Sequence, residues 1–511
     1  IVLYMKSYLF ISFLLILTIT SCRSDFNFEP NTGNLSFSKN TVYLDTVFTN
    51  IGSSTYTLKV YNRSNKNISI PNIQLGEGNN SKYRLMVDGI PGRVFNNVEL
   101  LAKDSMFVFI ETTIDYNDYA NLESTFLYTD HIEFGTNLDF QKVELVTLVQ
   151  DAVFLYPKKL SETTTETLPI GGEEIYGFFL DETDPINGDE LHWTNTKPYV
   201  IYGYAAIPPA KTLIVDAGVR AHFHADSGLI VANTATLQVN GTPSTSEALE
   251  NEVVFESDRL EPDFSNVAGQ WGTVWFTQGS TNNSITNLTL KNATVGMLIS
   301  GNDGTTSPTL DLNNVQIYNC SNVGILARTG NMIGKNIVIN NCGETSLACS
   351  FGGSYEFTHC TFANYWAKPN QTSVLIDDYD GSAIYALDKA DFNNCIIYGS
   401  PNFALSLKKT GTTFNYQFNN CLIKFADFSN QFATHPEYQF TGSKYVNCII
   451  SINATNNNPN FKNTNNNDLI IGSTSAAKGM ANATYSTFND ILDNPRSNPT
   501  DIGAYNFIVF D

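Results

Sequence analysis

Between residues 285 and 450 the chain returns again and again to one short phrase: an apolar residue, a spacer, an asparagine, then two apolar residues flanking a spacer. Its clearest copies are Ile285-Thr-Asn-Leu-Thr-Leu290, Leu312-Asn-Asn-Val-Gln-Ile317, Phe392-Asn-Asn-Cys-Ile-Ile397 and Phe418-Asn-Asn-Cys-Leu-Ile423. Looser copies centre on Asn336, His359 and Asn447, so the intervals run 27, 22, 23, 35, 26 and 27 residues. A period of roughly 20 to 50 residues marks a solenoid, whose units are too small to bury an apolar face alone and rely on their neighbours.

The apolar positions change parity at the asparagine: Leu312 falls on one alternation, Val315 and Ile317 on the other. Strand side chains alternate with period two, so both sets reach one interior only if the backbone turns a corner between them. Asparagine enters the left-handed conformation more readily than other non-glycine residues, which suits it to that corner. Amides at equivalent corners could also stack into a ladder. About eleven residues past each corner comes another apolar run, such as Gly296-Met-Leu-Ile299 and Gly324-Ile-Leu-Ala327, so each turn carries several strands. Short strands and few helix-forming stretches predict an all-β chain containing a right-handed parallel β-helix.

Thr212-Leu-Ile-Val-Asp-Ala-Gly-Val219, Ala235-Thr-Leu-Gln-Val-Asn-Gly-Thr242, Val253-Val-Phe-Glu-Ser257 and Gly269-Gln-Trp-Gly-Thr-Val-Trp-Phe276 resemble the opening turns of pectin-lyase-like β-helix proteins. Asn458-Pro-Asn-Phe461 through Asp501-Ile-Gly-Ala-Tyr505 resembles the closing segment common in secreted β-helix proteins of Bacteroidota. The expected β-helix domain is 198–511. Residues 33–155 read as short strands separated by turns, an antiparallel sandwich. Phe48-Thr-Asn-Ile-Gly-Ser53 followed by Val60-Tyr-Asn-Arg63 resembles the immunoglobulin-like modules that precede β-helices in Bacteroidota lipoproteins. A polar connection is expected over 156–197.

Fifty acidic against 29 basic residues give a net charge of −21, which argues against nucleic acid as a partner. Near the start, Met5-Lys6 precedes an apolar run from Tyr8 to Ile19, shorter than the ~20 residues that span a bilayer. The run ends in Ile19-Thr-Ser-Cys22, which resembles the bacterial lipobox. Residues 1–22 are therefore expected to be a lipoprotein signal, Cys22 the lipidated anchor to a membrane, and 23–32 a tether; the family resemblance favours the outer membrane. The alternative is an ordinary cleaved signal.

Cys360, Cys395, Cys421 and Cys448 each follow a corner directly and share one inward register, while Cys320 and Cys342 share a second. Stacked core thiols are the leading reading, with disulfides or a metal as alternatives. Polysaccharide lyases and hydrolases on this fold place carboxylates, often with calcium, on one outward face, which directs attention to the longest interval, 359 to 394. It holds Trp366, Lys368, Asp377, Asp378, Asp380, Tyr385 and Lys389. The aromatic rings suit stacking on sugars, and the carboxylates Asp377, Asp378 and Asp380 suit calcium or water activation. A binding loop without chemistry and a structural bulge remain as alternatives. His222 and His224 suggest a metal pair or a solvated strand face, and Trp271 and Trp275 core packing over ligand contact. Asp311 and Lys335 lie near strands with nothing evident to pair them. No phosphate loop, nucleophile elbow or triad order is present. The expected function is a non-catalytic, membrane-anchored rod that binds glycan or another cell surface. The alternative is a carbohydrate-active enzyme, a polysaccharide lyase or glycoside hydrolase.

Overall fold

Asn287, Asn314, Asn336, His359, Asn394, Asn420 and Asn447 all adopt left-handed backbone, with φ between 48° and 55°. They do so in a computed structural model that describes residues 27–510 apart from 120–124, 136–139 and positions 367, 370, 454, 488 and 497. The expected signal segment, residues 1–22, and its Cys22 lie outside the described residues. Because the chain turns at each corner, Leu312 before it and Val315 and Ile317 after it are all fully buried.

The chain divides into two compact units, one ending at Asp151 and the other beginning at Ala152. The second unit is built from a 19-stranded and a 10-stranded sheet, almost wholly parallel, an arrangement consistent with a β-helix. Residues before the corner stack turn on turn, Ile285 beside Leu312, Gly334, Phe357, Phe392, Phe418 and Tyr445. Residues after it stack likewise, Leu290 beside Ile317, Ile339, Phe362, Ile397, Ile423 and Ile450. The second sheet supplies a third column, Phe276 beside Ile299, Ala327, Cys349, Ile376 and Leu407. All three columns border one continuous apolar core. Within it the rings of Phe392 and Phe418 stack at 4.9 Å and those of Phe418 and Tyr445 at 5.3 Å.

The described cysteines are free. Cys395 Sγ donates to the carbonyl of Asn393 at 3.3 Å and Cys421 Sγ to that of Phe392 at 3.2 Å, the behaviour of small core residues with a weak donor. Burial pushes the Cys395 and Cys421 thiols far above their ordinary value.

Residues 156–197 are more than a connection. Val153–Leu155 runs parallel to Tyr199–Ile201, Glu173–Phe179 runs parallel to Tyr204–Ile207, and His192–Trp193 runs parallel to Thr212–Val215, so the strand pairing begins at Val153 rather than near 198. Trp193 is fully buried, which ties this stretch to the core.

The first unit contains a six-stranded and a five-stranded sheet that share a core including Leu44, Leu58, Val60, Val108, Ile132 and Val143. Tyr56–Asn62 shows the reason: Leu58, Val60 and Asn62 point inward and alternate with Thr57, Lys59 and Tyr61. Pairing is mostly antiparallel as expected, but Thr41–Phe48 runs parallel to Gln141–Gln150, so one sheet is mixed.

The closing segment covers one outer wall of the large sheet. Leu469, Ile491, Ala504 and Tyr505 pack on Val338 and Ala363, and Ile471, Ala477 and Ile502 pack on Ile396, Tyr398 and Leu422. These are outward positions after the corner, and their apolar character is explained by that cover. The outer wall before the corner stays polar and forms the floor of a groove.

Candidate functional site

In the long interval after His359 the three carboxylates each take different partners. Asp377 ends the strand Thr372–Asp377, where its two oxygens accept from Phe351 N and Ser350 Oγ, each at 3.0 Å. Asp378 is fully buried and clamps the turn opposite, accepting from Thr410 N and Gly411 N at 2.8 Å each. Asp380 caps its own turn through Ala383 N and Ser382 N, both at 2.7 Å, and through Tyr385 Oη at 2.8 Å. Those amide donors hold its carboxyl below the usual range. Lys368 lies 5.5 Å from the Trp366 ring. Lys389 belongs to the other sheet, where it pairs with Glu356.

Each of the three carboxylates is thus engaged by donors from a different stretch of the chain, and their contacts explain a turn, not a calcium cage. Among the described residues no group of three or more His, Cys, Asp and Glu side chains is placed to hold a metal ion. His222 is buried, its Nδ1 3.1 Å from the carbonyl of Ser257, while His224 pairs with Asp258 at 2.7 Å and stacks on Tyr202. Trp271 is a wall residue, stacked on Phe223 at 4.4 Å with its Nε1 donating to Lys291 O. Trp275 is half-buried in the second sheet and donates to Ser300 Oγ at 2.9 Å.

A groove of about 710 Å³ lies instead over the outer wall before the corner. Asp311 and Lys335, unpaired in the sequence, are neighbours on its floor. The register places Ser284, Asp311, Ile333, Glu356 and Asp391 in one column. Thr286, Asn313, Lys335, Thr358 and Asn393 form a second. Successive members stand one turn apart, ~4.8 Å along the rod. The closing segment raises one bank through Thr484, Tyr485, Ser486, Thr487, Asn489, Asp490 and Asp493. Asp490 braces this bank, accepting from Asn494 N and Asn506 N at 2.9 Å each.

Partial burial raises the Asp311 carboxyl, opposed by the Lys335 ammonium. Burial also raises Asp391, again opposed by a lysine, Lys389, and reinforced by Glu356. Lys389 is held above its ordinary value chiefly by its hydrogen bond to Glu356, and its Nζ lies 3.8 Å from Asp391. The floor therefore carries Asp311, Lys335 and Glu356 on three successive turns, flanked by neutral hydrogen-bonding side chains.

The sequence contained a signal for these residues. They occupy the positions three and one before each corner: Asp311 and Asn313 before Asn314, Glu356 and Thr358 before His359, Asp391 and Asn393 before Asn394. Aligning the turns on their corners exposes the columns. The opposing bank carries no such mark, because it lies in the closing segment.

No family model matches the chain, and no curated protein matches it. Solved structures give partial likenesses: the Escherichia coli chaperone DraB at 11% identity over 24% of this chain and 58% of DraB, with a TM-score of 0.16. A family 123 glycoside hydrolase from Clostridium perfringens matches at 12% identity over 24% of this chain and 30% of the hydrolase, TM-score 0.16. The periplasmic chaperone SfaE matches at 12% identity over 28% and 90%, TM-score 0.16.

Proposed function

We propose that this chain is an exported lipoprotein, anchored through Cys22 in the outer membrane, whose immunoglobulin-like N-terminal unit carries a right-handed parallel β-helix that binds a polysaccharide in the groove without cleaving it. The observation that supports this reading is the groove: a long polar floor with Lys335 and Asp311 at neighbouring turns and the ring of Tyr485 on its bank. Repeating polar contacts at a constant rise suit a repeating polymer, and an aromatic ring offers a flat face to a sugar. Glu356 pairs with Lys389, and Asp490 is held by two backbone amides as part of the bank.

The second reading is a carbohydrate-active enzyme, and one observation favours it. Asp311, raised by burial, stands two turns from Glu356, on the order of 10 Å, a separation near that of inverting carboxylate pairs.

The two readings separate when the full chain is titrated with a panel of polysaccharides and the same mixtures are assayed for new reducing ends and unsaturated products. Binding that is lost in Lys335→Ala and Tyr485→Ala, with no products, supports the binding rod. Turnover establishes the enzyme, and absence of binding to any polysaccharide refutes both. Anchoring is tested by fatty-acid labelling, which should mark the native chain and spare Cys22→Ala.

A further inference from the structure

The charges along the groove are unequal. Asp311, Glu356, Asp490 and Asp493 line it against a single ammonium, Lys335. Beyond the rim, Lys389 brings no surplus positive charge, because Glu356 and Asp391 both face it. The chain as a whole adds to this bias with its net charge of −21. A groove with an excess of one sign concentrates ligands of the other and repels its own, so a polyuronate entering here would meet mostly carboxylates with its own carboxylates.

Among the described residues no group of three or more His, Cys, Asp and Glu side chains is placed to hold a metal ion, and the groove carboxylates do not converge on one point. They are strung out instead. Asp311 and Glu356 are separated by the turn that carries Ile333, and Asp391 follows one turn later. The turn spacing of ~4.8 Å is close to the advance of one sugar residue in an extended polysaccharide. Positive charge distributed once per sugar would therefore fall repeatedly within reach of this column, while Asn313 and Thr358 in the neighbouring column can hydrogen-bond the hydroxyls.

We propose that the groove selects a polysaccharide bearing free amines, such as a glucosamine polymer, over its N-acylated form and over polyuronates. This rests on the groove being the polysaccharide site. The amines enter as ammonium groups facing Asp311 and Glu356, and no covalent step is involved.

The test is calorimetric titration of the full chain at about pH 6 with glucosamine, N-acetylglucosamine and galacturonate oligomers of equal length. The amine-bearing oligomer should bind about tenfold tighter than the acetylated one and weaken as salt is raised, while the galacturonate oligomer should not bind. Asp311→Asn and Glu356→Gln should shrink that preference. Glu162→Gln, which removes an exposed carboxylate outside the groove, should leave it unchanged. Equal affinity for amine and acetylated oligomers, or tighter binding of galacturonate, overturns the proposal and leaves the polysaccharide site standing. So does an equal loss in Glu162→Gln, which would mark mere attraction of a polycation to an acidic protein. If no oligomer of any kind binds, the polysaccharide site fails and the amine preference falls with it.

Discussion

Asn394 and Asn482 exchange two hydrogen bonds across 88 residues: Asn394 Nδ2 donates to the carbonyl of Asn482 at 3.0 Å, and Asn482 N donates to Asn394 Oδ1 at 2.7 Å. Other corners repeat the relationship, Asn336 Nδ2 donating to Asn489 O and Asn420 Nδ2 to Met480 O, each at 3.1 Å. The corners also bond one another, Asn336 to Asn314 at 2.9 Å and Asn314 to Asn287 at 3.2 Å. The residues that turn the coil thereby hold the segment that banks the groove.

Asn394 has two separable duties, and two substitutions should separate them. Asn394→Ala loses both the hydrogen bonds and the ease of left-handed backbone, while Asn394→Gly loses only the bonds. Each buried partner left unsatisfied costs roughly 1–3 kcal/mol, and the left-handed penalty for alanine adds about 1–2 kcal/mol. Denaturant titration should rank native above Asn394→Gly above Asn394→Ala. A glycine variant as stable as the native chain would show that the bonds to Asn482 contribute nothing.

At the corner His359 an imidazole replaces the amide. Its Nε2 accepts from Asn394 Nδ2 at 3.1 Å and its Nδ1 donates to Gly503 O at 3.2 Å, a pattern that requires the neutral ring. Burial, aided by the nearby Arg496 charge, lowers its pKa to about 3. The unfolded value is about 6.5, so the unfolded chain takes up the proton first. The stabilisation is fully present above about pH 6.5 and is lost as the pH falls from there toward 3. Melting temperatures of the native chain should drop across that window more steeply than those of His359→Asn, which keeps a neutral corner. Parallel curves would refute the assignment.

Cys320, Cys342, Cys349, Cys360, Cys395 and Cys421 are buried free thiols. A thiol reagent should leave all six unlabelled in the native chain and label them in denaturant, and reductant should not shift the melting temperature. Mass spectrometry after labelling reads both outcomes. A disulfide between any two of them would contradict the stacked register.

Gly503 lets the closing segment approach the corner. Its φ is +97°, and a Cβ there would fall 2.6 Å from Ile396 Cδ1 and 2.9 Å from Thr361 Oγ1. Gly503→Ala should cost roughly 1–3 kcal/mol and speed proteolysis within the closing segment before the rest of the coil is cut. Unchanged proteolysis would mean that the segment is held elsewhere.

How far the sequence could be read depended on how local each constraint was. The corner at Asn314 was legible because Leu312, Val315 and Ile317 change parity within six residues, and the inward cysteines followed from the same register. Asp378 was misleading for the same reason. Beside Asp377 and Asp380 it looked like part of a carboxylate cluster, but its partners are the amides of Thr410 and Gly411, a full turn later. Asp311 and Lys335 looked solitary, because their neighbours arrive only when the coil closes.

By itself, then, the sequence determined stacked parallel strands around an apolar, thiol-bearing core, since burying a face at each repeat imposes period and parity that a short window reveals. Only the tertiary structure decided where the groove lies. Outward residues obey no burial pattern, and the bank residues Tyr485, Asn489 and Asp490 line the same groove as Asp311 and Glu356 although more than a hundred residues of chain separate them.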